Sequence, residues 1–428
     1  MRAPMHYVWV MTMTAAAATA QVRLPAVPVP TLPLQALPQT LGQMQAQSLD
    51  RLNDLRRLEI RRLIRTNRRV LDADPHGEPV IRDEILALSP TDAALSGARS
   101  RGFIVDRQQV IEAMNIRVVV FKAPPGMSTK AALRTLREAD PGGSYDYNHI
   151  YSSSGAVSAA GRSNAGTAHE GSSSARVRIG LLDTGIDVTH PVFRESVIHA
   201  WGCGDHVVPA AHGTAVASLL IGRSTEFQGV RPGAELYAAD VYCGRPTGGA
   251  VDALVAAFAW LVRERVPVIN VSLVGPKNAL LETVIGSLVG AGYIIVAAVG
   301  NDGPAAPPLY PASYPHVVGV TAVDAHGHVL IEAARGPQVM FASPGAELAA
   351  AGNDHGYAAV RGTSFAAPIV AALLASDMTE PDAGNAEAVI AALAKTAVDL
   401  GPPGRDLTYG FGLVGADHRI DPATLDRR

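Results

Sequence analysis

The sequence predicts an α/β fold: a doubly wound, mostly parallel sheet in the C-terminal part, preceded by a small α/β module. Three observations carry that expectation. Five apolar runs, "RVRIGLLD" (176–183), "ELYAADVY" (235–242), "VPVINVSL" (266–273), "YIIVAAVG" (293–300) and "HVVGVTAV" (316–323), are too continuous to have one wet face, so they read as strands buried on both sides. Helical stretches around 212–222, 249–264, 278–291 and 364–377 alternate with them. Upstream, 18 of the 24 residues from Ser152 to Ala175 are Ser, Gly or Ala, a composition expected of a flexible linker between the two regions.

The 428 residues, 48% hydrophobic and 18% charged, suit a globular chain and exclude a fibre or a disordered tail. In chain order, Arg2, an apolar run from Tyr7 to Ala17 and the small residues Ala18-Thr19-Ala20 read as a signal peptide over 1–20. Export to the periplasm or the medium is therefore expected, with no stable membrane span once the signal is removed. Residues 21–77 begin with the Pro-rich "VRLPAVPVPTLPLQALPQT" (22–40) and continue into a basic amphipathic helix from about Leu41 to Leu71. Asp54, Glu59, Asp72 and Asp74 interrupt its eight arginines and no aromatics accompany them, so it reads as a solvated face rather than a nucleic-acid site.

Residues 78–151 form the small module: "FIV" (103–105) and "IRVVVFKAP" (116–124) are strand-like, Ser128 or Thr129 caps a helix through "KAALRTLREAD", and "GSYDYNHIY" (143–151) is a last strand. The linker spans 152–175 and the sheet region 176–428. Residues 21–175 hold 19 basic against 15 acidic side chains and 176–428 hold 16 against 24, so the two parts attract each other weakly. Cys203 in "WGCGD" and Cys243 in "VYCGR" are the only cysteines and both fall in Gly-containing loops. Export permits a disulfide between them; two free thiols are the alternative, and no metal site is expected from them.

Open parallel sheets present reacting groups beyond the carboxyl ends of their strands. Asp183 ends the first run in "GLLDTGID", His212 opens a helix in "HGTAVASLLIG" and Ser364 opens another in "GTSFAAPIVAALLA". Taken singly, each has a structural reading, as a strand-end cap, a surface histidine and a helix N-cap. Together they are the parts that nucleophilic catalysis requires, because a serine hydroxyl needs a base and the base needs a carboxylate to fix its tautomer. Asn301, just after a strand in "AAVGNDGP", adds an amide donor for an oxygen that becomes negative.

In order, "LLDTGID", "HGTAVA", "VINVSLVG", "AAVGNDGP" and "GTSFAAP" resemble the successive motifs of subtilisin-like serine proteases, a likeness that runs from about 176 to 418. The resemblance implies a subtilisin-like fold and an endopeptidase with Asp183 as orienting acid, His212 as general base and acid, Ser364 as nucleophile and Asn301 in the oxyanion hole. It implies that Ser272, Leu273 and Val274 line the substrate groove as a pairing strand, with Ala297, Ala298 and Val299 near the first specificity pocket. Val274 stands where the family commonly has Gly beside the substrate strand, which implies a narrower or shifted pocket.

The resemblance also implies that residues 78–151 are a prosegment, an intramolecular inhibitor cut away at the linker, and that the partner is a protein or peptide substrate. No carboxylate cluster copies a family calcium loop, so no cofactor is expected, with calcium left open through carbonyl ligands. The rival readings are a catalytically idle binding protein on the same scaffold and a non-peptidase serine hydrolase. The second would use a Gly-x-Ser-x-Gly elbow, and residues 362–366 lack its last glycine.

Overall fold

The structure, a computed structural model, describes residues 54, 56–153, 155–158, 177–206, 208–352 and 355–425. The expected signal peptide, the Pro-rich segment, and residue 154 and residues 159–175 of the Ser/Gly/Ala tract lie outside these residues. No helix among the described residues is long and apolar enough to cross a membrane.

The C-terminal part is a seven-stranded sheet in which every neighbouring pair is parallel. Its strands are β7 (Arg178–Asp183), β8 (Val197–Trp201), β9 (Glu235–Asp240), β11 (Val268–Val271), β13 (Ile294–Ala298), β14 (Val318–Val323) and β15 (Val339–Pro344), in the spatial order β15-β14-β13-β11-β7-β9-β8. The chain therefore starts in the middle at β7, fills one side, and crosses to β11 to fill the other. Beyond the carboxyl ends of β7 and β11 the connections diverge and leave a crevice.

Both faces are covered, which accounts for the unbroken apolar runs. Ile179 and Leu181 join the core under α4 (Ala211–Ile221) and α7 (Thr363–Ala375). Leu182, one residue on, points the other way into the core under α5 (Val251–Arg263) and α6 (Ala279–Gly290). The strands β8 and β15, the hairpin β16 (Leu348–Ala351) with β17 (Tyr357–Arg361), and α8 (Ala383–Thr396) add to the elements read from the sequence.

The upstream module is an antiparallel sheet of β1 (Leu71–Ala73), β2 (Pro79–Leu88), β3 (Ile104–Ile111), β4 (Ile116–Lys122) and β5 (Ser144–Ser153). One face packs on α2 (Asp92–Ser100) and α3 (Thr129–Ala139), burying Phe103, Phe121, Leu133 and Leu136. Ser128 caps α3 by accepting from the Ala131 amide, as the sequence predicts. The other face, with Leu86, Val118 and Val120, joins the core of α5 and α6.

Three expected boundaries are corrected. Helix α1 covers 56–66 and does not reach Leu71, because the Asn67 side chain donates to the Leu63 carbonyl at 2.9 Å, a turn follows, and Leu71 opens β1. The module's sheet starts at 71 rather than 78, since β1 pairs with β2. The linker does not start at 152: Ser152 and Ser153 belong to β5, and Ala156–Val157 form β6, which pairs with β17.

Candidate active site

The crevice gathers the four polar residues singled out in the sequence, each from a different element. Asp183 is the last residue of β7 and has no solvent exposure. Its carboxylate accepts from the Thr184 amide at 2.7 Å and faces His212 Nδ1 at 2.8 and 3.1 Å from its two oxygens. A carboxylate only accepts, so Nδ1 carries a proton, and in the neutral imidazole Nε2 then presents its lone pair. Nε2 is buried without a hydrogen-bond partner among the described residues.

His212 is the second residue of α4, whose N-cap Ala210 offers no side-chain bond. Thr184 supplies one instead, its hydroxyl accepting from the Gly213 amide at 2.8 Å. A Cβ on Gly213 would lie 2.3 Å from the Thr184 carbonyl, so only glycine lets the helix start this close to the end of β7. The His212 ring also packs on Phe365, with centroids 5.2 Å apart, which brings the start of α7 beside it.

Ser364 is not the cap of its helix. The N-cap of α7 is Gly362 at φ 137°, and Ser364 is the second helical residue, wholly buried. Its hydroxyl donates to the Ser272 carbonyl at 3.2 Å. In return the Ser272 hydroxyl, which accepts from Asn270 Nδ2 at 2.8 Å, donates to the Ser364 carbonyl at 2.9 Å. That carbonyl is available because Pro368 stands four residues on and has no N–H to give it. Asn301 follows Gly300, which sits at φ 101°. Its Oδ1 accepts from the Thr363 amide at 3.0 Å, which fixes the oxygen end and turns the amide N–H groups the other way.

Of the residues expected to line a groove, Leu273 and Val274 form the short strand β12. It pairs antiparallel with Ser153 and Ser152 at the end of β5. On the opposite edge β10 (Gly249–Ala250) pairs with Tyr151 and Ile150. The chain's own residues 150–153 thus lie as a third strand between two edges of the crevice. Gly155 follows beside Phe365 and Arg361, where a Cβ would meet the Phe365 ring at 2.7 Å. Ala297, Ala298 and Val299 lie at and just beyond the carboxyl end of β13, fully buried in the cores of both faces.

Sequence reasoning missed Thr184, Asn270, Thr363 and Tyr242, whose hydroxyl accepts from the Ser153 amide. The first three are small polar residues inside the motifs, and their position beside Asp183, Ser272 and Ser364 was the available signal. Cys203 and Cys243 are joined, with Cα atoms 5.1 Å apart, and tie the turn after β8 to the turn after β9. Between them Asp240 accepts from the amides of Tyr242 and Cys243 at 2.9 and 2.8 Å, and burial holds its carboxyl above the usual range.

Residues 174–412 match the sequence profile of the Subtilase family. The chain is 30% identical over 206 residues to the minor extracellular protease Epr of Bacillus subtilis (strain 168), a match covering 47% of this chain and 32% of that protein. It is 32% identical over 246 residues to subtilisin BL of Lederbergia lenta, covering 56% of this chain and 89% of the relative. Among solved structures it resembles fervidolysin from Fervidobacterium pennivorans, a keratinolytic enzyme related to subtilisin, with a TM-score of 0.66 at 21% identity. That likeness, one of fold, covers 81% of this chain and 62% of the other, so it extends upstream of the profile match into the module. The chain spans about a third of the length of Epr.

Proposed function

This chain belongs to the subtilase family, and on that premise we propose that it is a serine endopeptidase, exported as a precursor to the periplasm or the medium. In this reading Ser364 Oγ attacks a peptide carbonyl and His212 Nε2 takes the hydroxyl proton. Asp183 holds the imidazole in the tautomer that can do so and stabilises the imidazolium. Asn301 Nδ2 and the Ser364 amide donate to the oxyanion. His212 returns the proton to the leaving amine, and water then cleaves the acyl-enzyme. The observation that carries the reading is the fixed imidazole, with Nδ1 2.8 Å from Asp183 and Nε2 buried and unpaired. Against an idle scaffold stands the presence of all four polar groups at one crevice.

The module is read as the intramolecular inhibitor. Support comes from residues 150–153, paired between β10 and β12 on one side of Ser364, and from β6, paired with β17 on the other. An extended substrate is bound by added-strand pairing of this kind. Self-cleavage then falls at one of the two peptide bonds between Ser153 and Gly155. Calcium enters no step of this reading.

Intact mass and N-terminal sequencing of the exported wild type and Ser364→Ala test it. The wild type is expected to begin at residue 154 or beyond and the variant to keep the module. Equal processing of both chains would overturn self-maturation, and failure of a serine-directed phosphonate to label Ser364 would overturn the nucleophile.

A further inference from the structure

The segment lying in the crevice is not uniformly held. Ser152 is exposed and Ser153 half-buried, whereas the Tyr151 side chain has no exposure at all and enters the core shared by α5 and α6. Room for its ring is made by Gly275, where a Cβ would sit 2.7–2.8 Å from three ring atoms. Any larger residue at 275 would fill the place the ring occupies.

The floor of this pocket is polar. Tyr151 Oη donates to the Pro276 carbonyl at 2.7 Å, beside the Tyr314 hydroxyl. Tyr314 is itself fixed, donating to the Asn278 carbonyl at 2.9 Å and accepting from the Asn278 amide at 3.0 Å. The Pro276 carbonyl and the Tyr314 hydroxyl beside it belong to the sheet region and not to the module, so they remain when the segment leaves. A purely apolar slot gains little from a hydroxyl, but a site built to pair one rejects the analogue that lacks it, because its own buried acceptor is left unsatisfied.

We infer that this pocket reads a phenolic hydroxyl, and that the protein's substrates are polypeptides placing a tyrosine opposite Gly249, third or fourth before the cut bond, in preference to phenylalanine. The inference rests on the endopeptidase reading and names the substrate class for it. The Pro276 carbonyl acts through its contact with the substrate phenol and not on the reacting atoms.

The test uses the matured enzyme and quenched peptides of the sequence at 150–157, Ile-Tyr-Ser-Ser-Ser-Gly-Ala-Val, against the same peptide with Phe for Tyr. The Phe peptide is expected to show a kcat/KM roughly tenfold to a hundredfold lower. Equal turnover of the two peptides would overturn the inference. A second readout needs no cleavage: in the full-length Ser364→Ala chain, Tyr151→Phe keeps the ring and loses only the hydroxyl, so the melting midpoint should fall. An unchanged midpoint would overturn the contact. If the matured chain cleaves casein but does not separate Tyr from Phe, the pocket assignment fails alone. If it cleaves neither casein nor peptide, the endopeptidase reading fails, and the melting shift still decides the hydroxyl.

Discussion

Replacing Arg107 by Met should loosen the module from the sheet region more than any surface charge change could. Arg107 Nε donates to Asp252 Oδ2 at 2.6 Å, and its two terminal nitrogens donate to Glu84 at 2.9 and 2.6 Å. Asn148, with no exposure, donates to the remaining Asp252 oxygen at 2.7 Å and to Glu84 at 2.8 Å. Asp252 stands in the first turn of α5, where the helix dipole also favours its charge. Glu84, Arg107 and Asn148 come from the module and Asp252 from the sheet region, so the network spans their boundary.

Methionine keeps the aliphatic volume and leaves two carboxylates, 8% and 9% exposed, with the Asn148 amide as their shared side-chain donor. Stranding a buried charge costs about 3–5 kcal/mol. The Arg107 side chain is 35% exposed, so water recovers part of that, and the expected loss is about 2–3 kcal/mol. Urea unfolding of the full-length Ser364→Ala chain, which cannot cut itself in the proposed reading, measures it. Adding Glu84→Gln to Arg107→Met should restore part of the loss by removing one stranded charge. A cost within about 0.5 kcal/mol of zero, or a cost of Arg107→Met that is the same with and without Glu84→Gln, would refute the reasoning.

Two further outcomes follow from separate features. Cys203 and Cys243 close a loop with a sequence separation of 40, so reduction should destabilise the protein by up to about 4 kcal/mol in the chain-entropy account, read as a lower urea midpoint with reductant; an unmoved midpoint would count against the bridge. His190 is buried, accepts from the Val192 amide at 3.1 Å and places Nε2 2.9 Å from the Gly356 carbonyl, and burial holds its imidazole below the ordinary value. The folded state thus binds its proton less readily than the unfolded state, so stability should hold above about pH 6.5 and fall as the pH drops through the folded pKa. His190→Gln should flatten that slope between about pH 7.5 and 5.5, and an unaltered slope would assign it to other groups.

The five strands and four helices read from apolar periodicity were legible because the sheet is covered on both sides, so burial left its mark on both faces of each strand. Strand β2 was not legible. Its "RDE" breaks the apolar run, and those residues serve a bulge with Asp83 at φ 62° and the ionic contact of Glu84 with Arg107. Strand β8 hides for the opposite reason, since an edge strand with Val197, His199 and Ala200 exposed carries little pattern. At the site, each polar residue stood at a strand end or helix start and could be named. The exchange of hydrogen bonds between Ser272 and Ser364 could be read only halfway: Pro368 shows that the Ser364 carbonyl lacks its helical partner, but nothing local says that a residue 92 positions away will take it.

The Ser/Gly/Ala tract shows why composition misjudged the segment that matters most. A linker and an added strand can share the same small residues, because strand pairing uses backbone amides and carbonyls and makes no demand on side chains. What separates them is whether unpaired edges are waiting, and those edges, Gly249–Ala250, Leu273–Val274 and β17, come from distant parts of the chain. Small residues even favour the fit: a Cβ at position 155 would already strike the Phe365 ring at 2.7 Å. The bulkiest residue between the two edges, Tyr151, is the one given a pocket with a polar anchor, so specificity falls on the side chain while the backbone supplies the hold.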